Sequence, residues 1–121
     1  MIDVLIVDDD EAIAEFVAVI LAERGYRVRT AFNGRQALDL LRQTPPHVLL
    51  LDLMLPLMDG WDLAKAIRES ATLRDTPIVV MSAHDDVPEA AQAIGAVGYL
   101  TKPFDIDALF SCVATYAGAR R

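Results

Sequence analysis

Several short aliphatic runs in this chain end in residues that can do chemistry. Val4-Leu5-Ile6-Val7 stops at Asp8-Asp9-Asp10, and Val48-Leu49-Leu50-Leu51 stops at Asp52. Ile78-Val79-Val80-Met81 stops at Ser82, and the stretch Gly98 to Thr101 runs into Lys102. If these ends share one edge, three carboxylates, a hydroxyl and an ammonium converge there. Crowded carboxylates repel: at ~4 Å and an effective dielectric of ~20, a pair costs about 4 kcal/mol. A hard divalent cation removes that repulsion. Magnesium suits such a site, because it keeps several waters and takes one or two carboxylates plus phosphate oxygens. The same ion would offset charge on an incoming phosphoryl group, with Lys102 holding another of its oxygens. The set therefore suits a carboxylate that attacks phosphorus and carries the product as an acyl phosphate, one option among several on the residues alone.

Each residue also has a plainer reading. The aspartate triplet could cap the following helix and favour its positive end, and for the triplet alone capping ranks ahead of metal binding. Ser82 alone is more often a strand-end hydroxyl bonded to backbone, Lys102 a solvated lysine, and Tyr99 a half-buried sheet residue. Asp52 is harder to dismiss, since a carboxylate ending a buried run is expensive without a partner. Their joint placement favours function.

The elements that must position these residues alternate from end to end. After the first run, Ile13, Phe16, Val17, Ile20 and Leu21 are spaced as one helix face. Gly25 closes that helix. Tyr26 to Ala31 alternates as a second strand, and Asn33-Gly34 signals a turn. Ala37, Leu38 and Leu41 mark a helix stopped by Pro45-Pro46. Val48 to Leu51 lacks polar alternation and reads as the most buried strand. Pro56 to Gly60 is a loop, followed by a helix through Leu63, Ala64 and Ile67. Pro77 opens a fourth strand, Glu89 to Ile94 a weak helix after Pro88, and Gly98 to Thr101 a brief fifth strand. Ile106, Leu109, Phe110, Val113, Ala114 and Ala117 form a last stripe, with Asp105 at the N-cap. Five strands alternating with five helices imply a parallel α/β sheet covered on both faces, in one domain over residues 1–121. In such sheets ligands bind beyond the carboxyl ends of the strands, where the chemistry-bearing residues fall.

Composition limits the partners. The 121 residues are 54% apolar, enough for one core, and carry a formal charge of −7. No cluster of Lys and Arg offers a counterion-releasing surface, and Arg120-Arg121 is too little alone, so direct nucleic acid binding is not expected. No segment approaches the ~20 apolar residues of a membrane span, and nothing reads as a secretory signal. A soluble cytoplasmic protein is the expectation. Cys112, the one cysteine, excludes an internal disulfide and a cysteine metal cluster, and its expected place is a partly buried apolar one.

At this point the chain resembles the receiver domains of two-component response regulators, including the single-domain chemotaxis-type members. The matching motifs are Val4 to Asp10, Leu51-Asp52-Leu53-Met54-Leu55-Pro56-Leu57-Met58-Asp59-Gly60, Val80-Met81-Ser82-Ala83, and Gly98-Tyr99-Leu100-Thr101-Lys102-Pro103-Phe104. The resemblance covers essentially the whole chain. It implies a flavodoxin-like doubly wound sheet of order 2-1-3-4-5. It implies that Asp52 accepts the phosphoryl group, that Asp9 coordinates Mg2+ with Asp8 assisting, and that the Met54 backbone carbonyl completes the metal shell. Ser82 matches the switch hydroxyl, Lys102 the lysine on a phosphoryl oxygen, and Tyr99 the aromatic that rotates inward. The Lys102-Pro103 peptide is expected to be cis.

The implied partners are a sensor histidine kinase or histidine phosphotransfer protein and a downstream protein target. The chain would be a monomer or a phosphorylation-dependent dimer, catalysing only its own phosphorylation and dephosphorylation. The segment from Ser82 to Gly95 is slightly shorter than the family's, and Pro88 with its alanines weakens the expected fourth helix. Met54 and His84 occupy positions that tune phosphoryl lifetime. A stand-alone receiver and the N-terminal part of a longer regulator with an output domain are both open. An aspartyl phosphatase would want a second acid where Met54 stands, and a flavin protein a Ser/Thr/Gly-rich loop where Asp8-Asp9-Asp10 stands. Both are remote.

Overall fold

The computed structural model describes residues 2–53, 59–83, 87–103 and 105–117, with the side chains of Val87 and Ala117 left aside. Met54, Leu55, the 56–58 part of the expected loop, His84, Phe104 and the terminal arginines lie outside the described residues. The elements are β1 (Asp3–Val7), α1 (Glu11–Glu23), β2 (Arg27–Ala31), α2 (Gly34–Gln43), β3 (Val48–Asp52), α3 (Gly60–Glu69), β4 (Ile78–Ser82), α4 (Val87–Ala93), β5 (Gly98–Thr101) and α5 (Ile106–Ala117). The strands pair in parallel in the order β2-β1-β3-β4-β5, the expected one.

The unbroken aliphatic runs follow from this topology. Successive strand side chains point to opposite faces, and both faces are covered. Leu5, Val7, Leu49, Leu51, Ile78 and Val80 pack under α2, α3 and α4. Val4, Ile6, Val48, Leu50, Val79 and Met81 pack under α1 and α5. Every residue of β1, β3 and β4 is buried. Polar residues in these strands would have to be placed in the core, which is why they appear only at the ends.

Caps set where the helices begin. The side chains of Asp10, Asn33 and Asp59 accept from the backbone N–H three residues on, at 3.2, 2.8 and 2.9 Å. Asp105 Oδ1 accepts from Asp107 N at 3.3 Å, in the expected N-cap place. Each such cap is worth about 1 kcal/mol. Gly25, at φ +91, closes α1 as expected. Asn33-Gly34, expected as a turn, is instead the cap and first residue of α2. α4 is a correction too: it starts at Val87, with Pro88 inside its first turn. Proline is tolerated there because a first-turn N–H has no helical acceptor to lose. The helix is present, though short.

Thr76 is 1% exposed, and its Oγ1 has no hydrogen-bond partner among the described residues. A buried unsatisfied hydroxyl carries a desolvation penalty of about 1–3 kcal/mol. Thr76→Val should therefore raise unfolding free energy by about 1 kcal/mol, seen as a higher Tm and a higher urea midpoint at unchanged m-value. A lower midpoint would show that the hydroxyl has a partner. Among the described residues no helix is long and apolar enough to cross a membrane.

Candidate functional site

β1 and β3 are adjacent, so their carboxyl ends bring Asp8, Asp9 and Asp52 to one place. One carboxylate oxygen from each lies within 4.8 Å of the others. Asp8 and Asp52 are buried and Asp9 is exposed, so the group opens to solvent on one side. The three side chains of the triplet are placed differently. Asp10 caps α1. Asp8 points inward, accepting from Asp10 N on Oδ1 at 2.9 Å. Asp9 faces water.

Lys102 closes the cluster from β5. Its Nζ donates to Asp8 Oδ2 at 2.6 Å and to Asp52 Oδ2 at 3.1 Å, forming two ion pairs with one ammonium. The lysine backbone is fixed by Lys102 N donating to Ser82 O at 2.9 Å. Burial alone would lower the pKa of Lys102, but the hydrogen bond to Asp8 and the charge of Asp52 outweigh it and hold the pKa above its ordinary value. A raised lysine pKa stabilises the fold fully at neutral pH, and that contribution is lost only as pH climbs through the raised value. Even so, three carboxylates face one ammonium. An excess of hard oxygen donors with one open side is a donor set that fits a hard divalent cation.

Ser82 ends β4, the strand beside Asp52, and is 1% exposed. The Lys102–Pro103 peptide is cis. A mostly apolar cavity of about 360 Å³, lined by Ile13, Phe16, Val17, Ala83, Lys102 and Pro103, adjoins the lysine. Tyr99 is not in the cluster. It sits on β5 with 47% of its surface exposed, the half-buried place expected. It lines a groove between α4 and α5 with Ala91, Gln92, Ser111, Cys112 and Tyr116. Cys112 is partly buried as expected, and burial pushes its thiol up to about 11.

One supporting residue escaped the sequence reading except as part of a motif. Gly60 begins α3 directly behind the end of β3, with its N–H donating to Leu53 O at 2.9 Å. A Cβ there would lie 2.5 Å from Leu53 Cα and 2.8 Å from Asp52 O. The available signal was a glycine just after a capping aspartate, at a helix start where no turn demands one.

Comparison with known proteins agrees with this architecture. Residues 4–114 match the family model of the response regulator receiver domain. The response regulator MprA of Mycolicibacterium vanbaalenii is 38% identical over 110 residues, covering 89% of this chain and 47% of that protein. The DNA-binding dual master transcriptional regulator RpaA of a Synechocystis species is 36% identical over 112 residues, covering 91% of this chain and 46% of that protein. The chain thus spans about half the length of these curated relatives. Among solved structures, a Francisella response regulator receiver domain superposes with a TM-score of 0.91 at 33% identity, covering 100% of both chains. The chemotaxis protein CheY4 of Vibrio cholerae gives a TM-score of 0.88 at 32% identity, covering 96% of this chain and 98% of that one. Five parallel strands in the order 2-1-3-4-5, an acidic rim closed by a lysine, and these likenesses together make the chain a member of the response regulator receiver domain family of two-component signal transduction.

Proposed function

We propose that Asp52 is the phosphoacceptor and that Asp8, Asp9, Ser82 and Lys102 serve its chemistry. The observation that carries this is the Lys102 ammonium, held between Asp8 at 2.6 Å and Asp52 at 3.1 Å with the Asp9 carboxylate beside them. A carboxylate oxygen of Asp52 attacks the donor phosphorus. The new bond is an acyl phosphate, and the bond to the donor (phosphohistidine, or acetate in acetyl phosphate) breaks with its electron pair leaving on the donor. Asp8, Asp9 and Asp52 are the side chains that would hold Mg2+, with the Met54 carbonyl, outside the described residues, as a further ligand. Bound there, Mg2+ offsets the carboxylate excess and the charge on the phosphoryl oxygens. Lys102 exchanges its contact with Asp8 for a phosphoryl oxygen, and the Ser82 hydroxyl bonds another.

The output is a shift between two arrangements. A swing from ~1:99 to ~99:1 needs roughly 5.5 kcal/mol of preference, and two or three charge-assisted hydrogen bonds at ~1.5–3 kcal/mol each supply it. Movement of Ser82 gives Tyr99 room to turn in from its exposed position, altering the groove between α4 and α5 where a downstream protein would read the state. The donors are a sensor histidine kinase or a histidine phosphotransfer protein, and the protein acts as a switch rather than on a small substrate. The lengths of MprA and RpaA favour a second form of this reading, a receiver joined to an output domain.

Incubation with acetyl phosphate and magnesium should add one phosphoryl mass to the protein, and chelation of the metal should prevent it. Labelling that proceeds equally in excess chelator would overturn the metal-assisted acceptor.

A further inference from the structure

The amino-terminal end of the sheet, opposite the acidic rim, carries a histidine that the chemistry of the rim does not use. β1 and β3 run in parallel with Val4 beside Val48, so His47 stands level with Asp3, one residue before β3 begins. His47 N donates to Asp3 O at 2.8 Å, which extends the ladder by a rung. The N–H of Asp3 donates not to a main-chain carbonyl but to His47 Nδ1, at 3.0 Å. A partly buried ring thus supplies the acceptor that a strand carbonyl supplies elsewhere in a ladder.

An imidazole nitrogen accepts only while it carries no proton. With Nδ1 accepting, the neutral ring holds its proton on Nε2, and a second proton would make Nδ1 a donor aimed at another donor. The bond from Asp3 N must then break and the ring swing out, leaving a part-buried N–H without its acceptor. The neighbouring charges offer the imidazolium no substitute place. Asp3 is 5% exposed, and its carboxylate is already engaged. Oδ1 accepts from Arg29 Nε at 3.1 Å and Nη2 at 2.9 Å, and Oδ2 lies 3.7 Å from Arg27 Nε. Arg29 is fixed in turn by donating to Leu40 O at 3.0 Å and Thr44 O at 2.7 Å, at the end of α2. One carboxylate of β1 therefore faces two guanidiniums of β2, and a further cation beside them is repelled. Arg42, in the last turn of α2, adds to that sign, and on the β4 side the charge of Asp75 bears on Arg68. Residues 43–46, leading into His47, carry no charge.

We infer that His47 is a proton-released latch: its neutral ring fastens the start of β1 to the residue before β3, and protonation frees that end of the sheet while the rim at the other end keeps its own contacts. The inference is independent of the Asp52 reading. Its ground is the direction of the bond, from a main-chain donor to a ring nitrogen that a proton would occupy.

The test is hydrogen exchange read by NMR on the full chain at about pH 8 and about pH 5.5, the span in which histidine commonly changes charge, with each rate corrected for the intrinsic effect of pH. In the wild type at the upper pH, nitrogen NMR of the ring should show the proton on Nε2. Protection of the Asp3 amide should fall about tenfold at the lower pH, while Ile6 and Leu50, within the same two strands, keep theirs. In His47→Asn a carboxamide oxygen stands where Nδ1 stood and has no proton to gain, so Asp3 should stay protected at both pH values. His84 and the amino terminus remain in that variant, so a flat profile assigns the response to His47. His47→Leu should leave Asp3 poorly protected throughout. A wild-type Asp3 amide equally protected at both pH values, an asparagine variant that responds like the wild type, or a ring protonated on Nδ1 at the upper pH would each overturn the latch.

Discussion

Asp52→Asn should take up no phosphoryl group from acetyl phosphate, and in chelator it should be more stable than the wild type. The first half follows from chemistry: a carboxamide has no anionic oxygen to attack phosphorus. The second follows from charge. Asp52 is 6% exposed and sits with two other carboxylates within 4.8 Å. At an effective dielectric of ~20, its two repulsions amount to roughly 3.5 kcal/mol each, against roughly 5 kcal/mol of attraction to Lys102. Asparagine removes both terms and leaves Lys102 paired to Asp8 at 2.6 Å. The balance favours the variant by about 1–2 kcal/mol. Thermal melts in chelator and in saturating magnesium would read it. The wild type should gain more from the metal than the variant does, because it has more repulsion to relieve. A variant that labels like the wild type would remove Asp52 as the acceptor, and one that melts lower in chelator would contradict the electrostatic account of the rim.

Much of the architecture could be read before any coordinates because the sheet is buried on both faces. That condition forces unbroken aliphatic runs, and the first polar residue after each run marks the rim. Asp52 and Ser82 were placed this way, and each proves to be the last residue of its strand. The same logic could not divide the aspartate triplet, where three identical side chains are placed three ways. Asp8 turns inward, Asp9 outward, and Asp10 caps a helix whose start the backbone decides. Pro88 misled in a different way, since proline both opens and breaks helices and the sequence does not say which turn it occupies. Arg68 was invisible because it donates to the backbone carbonyls of Arg74, Thr76 and Gly95, which carry no residue-specific signal.

Gly60→Ala should be among the most damaging single-methyl additions to the chain, and Gly25→Ala a mild one, for opposite reasons. At Gly25 the backbone has φ +91, but nothing lies within 4 Å of a new Cβ. The cost there is conformational only, about 1–2 kcal/mol. At Gly60 the conformation suits any residue, yet the methyl would stand 2.5 Å from Leu53 Cα, 2.8 Å from Asp52 O and 3.0 Å from Leu53 Cδ2. The first two are main-chain atoms at the end of β3, the strand that ends in Asp52, and they cannot rotate away. Either α3 lifts, breaking the bond from Gly60 N to Leu53 O, or the end of β3 moves. Overpacking of this kind costs about 3 kcal/mol or more, enough to lower Tm by roughly 10 °C or more. The two substitutions should also separate in function. Gly25→Ala, at the far end of α1, should label at the wild-type rate below its melting temperature, whereas folded Gly60→Ala should label slowly because the Asp52 carboxylate is displaced from Lys102. If Gly60→Ala melts and labels like the wild type, the helix does not rest on the end of β3, and the packing account of how Asp52 is held fails.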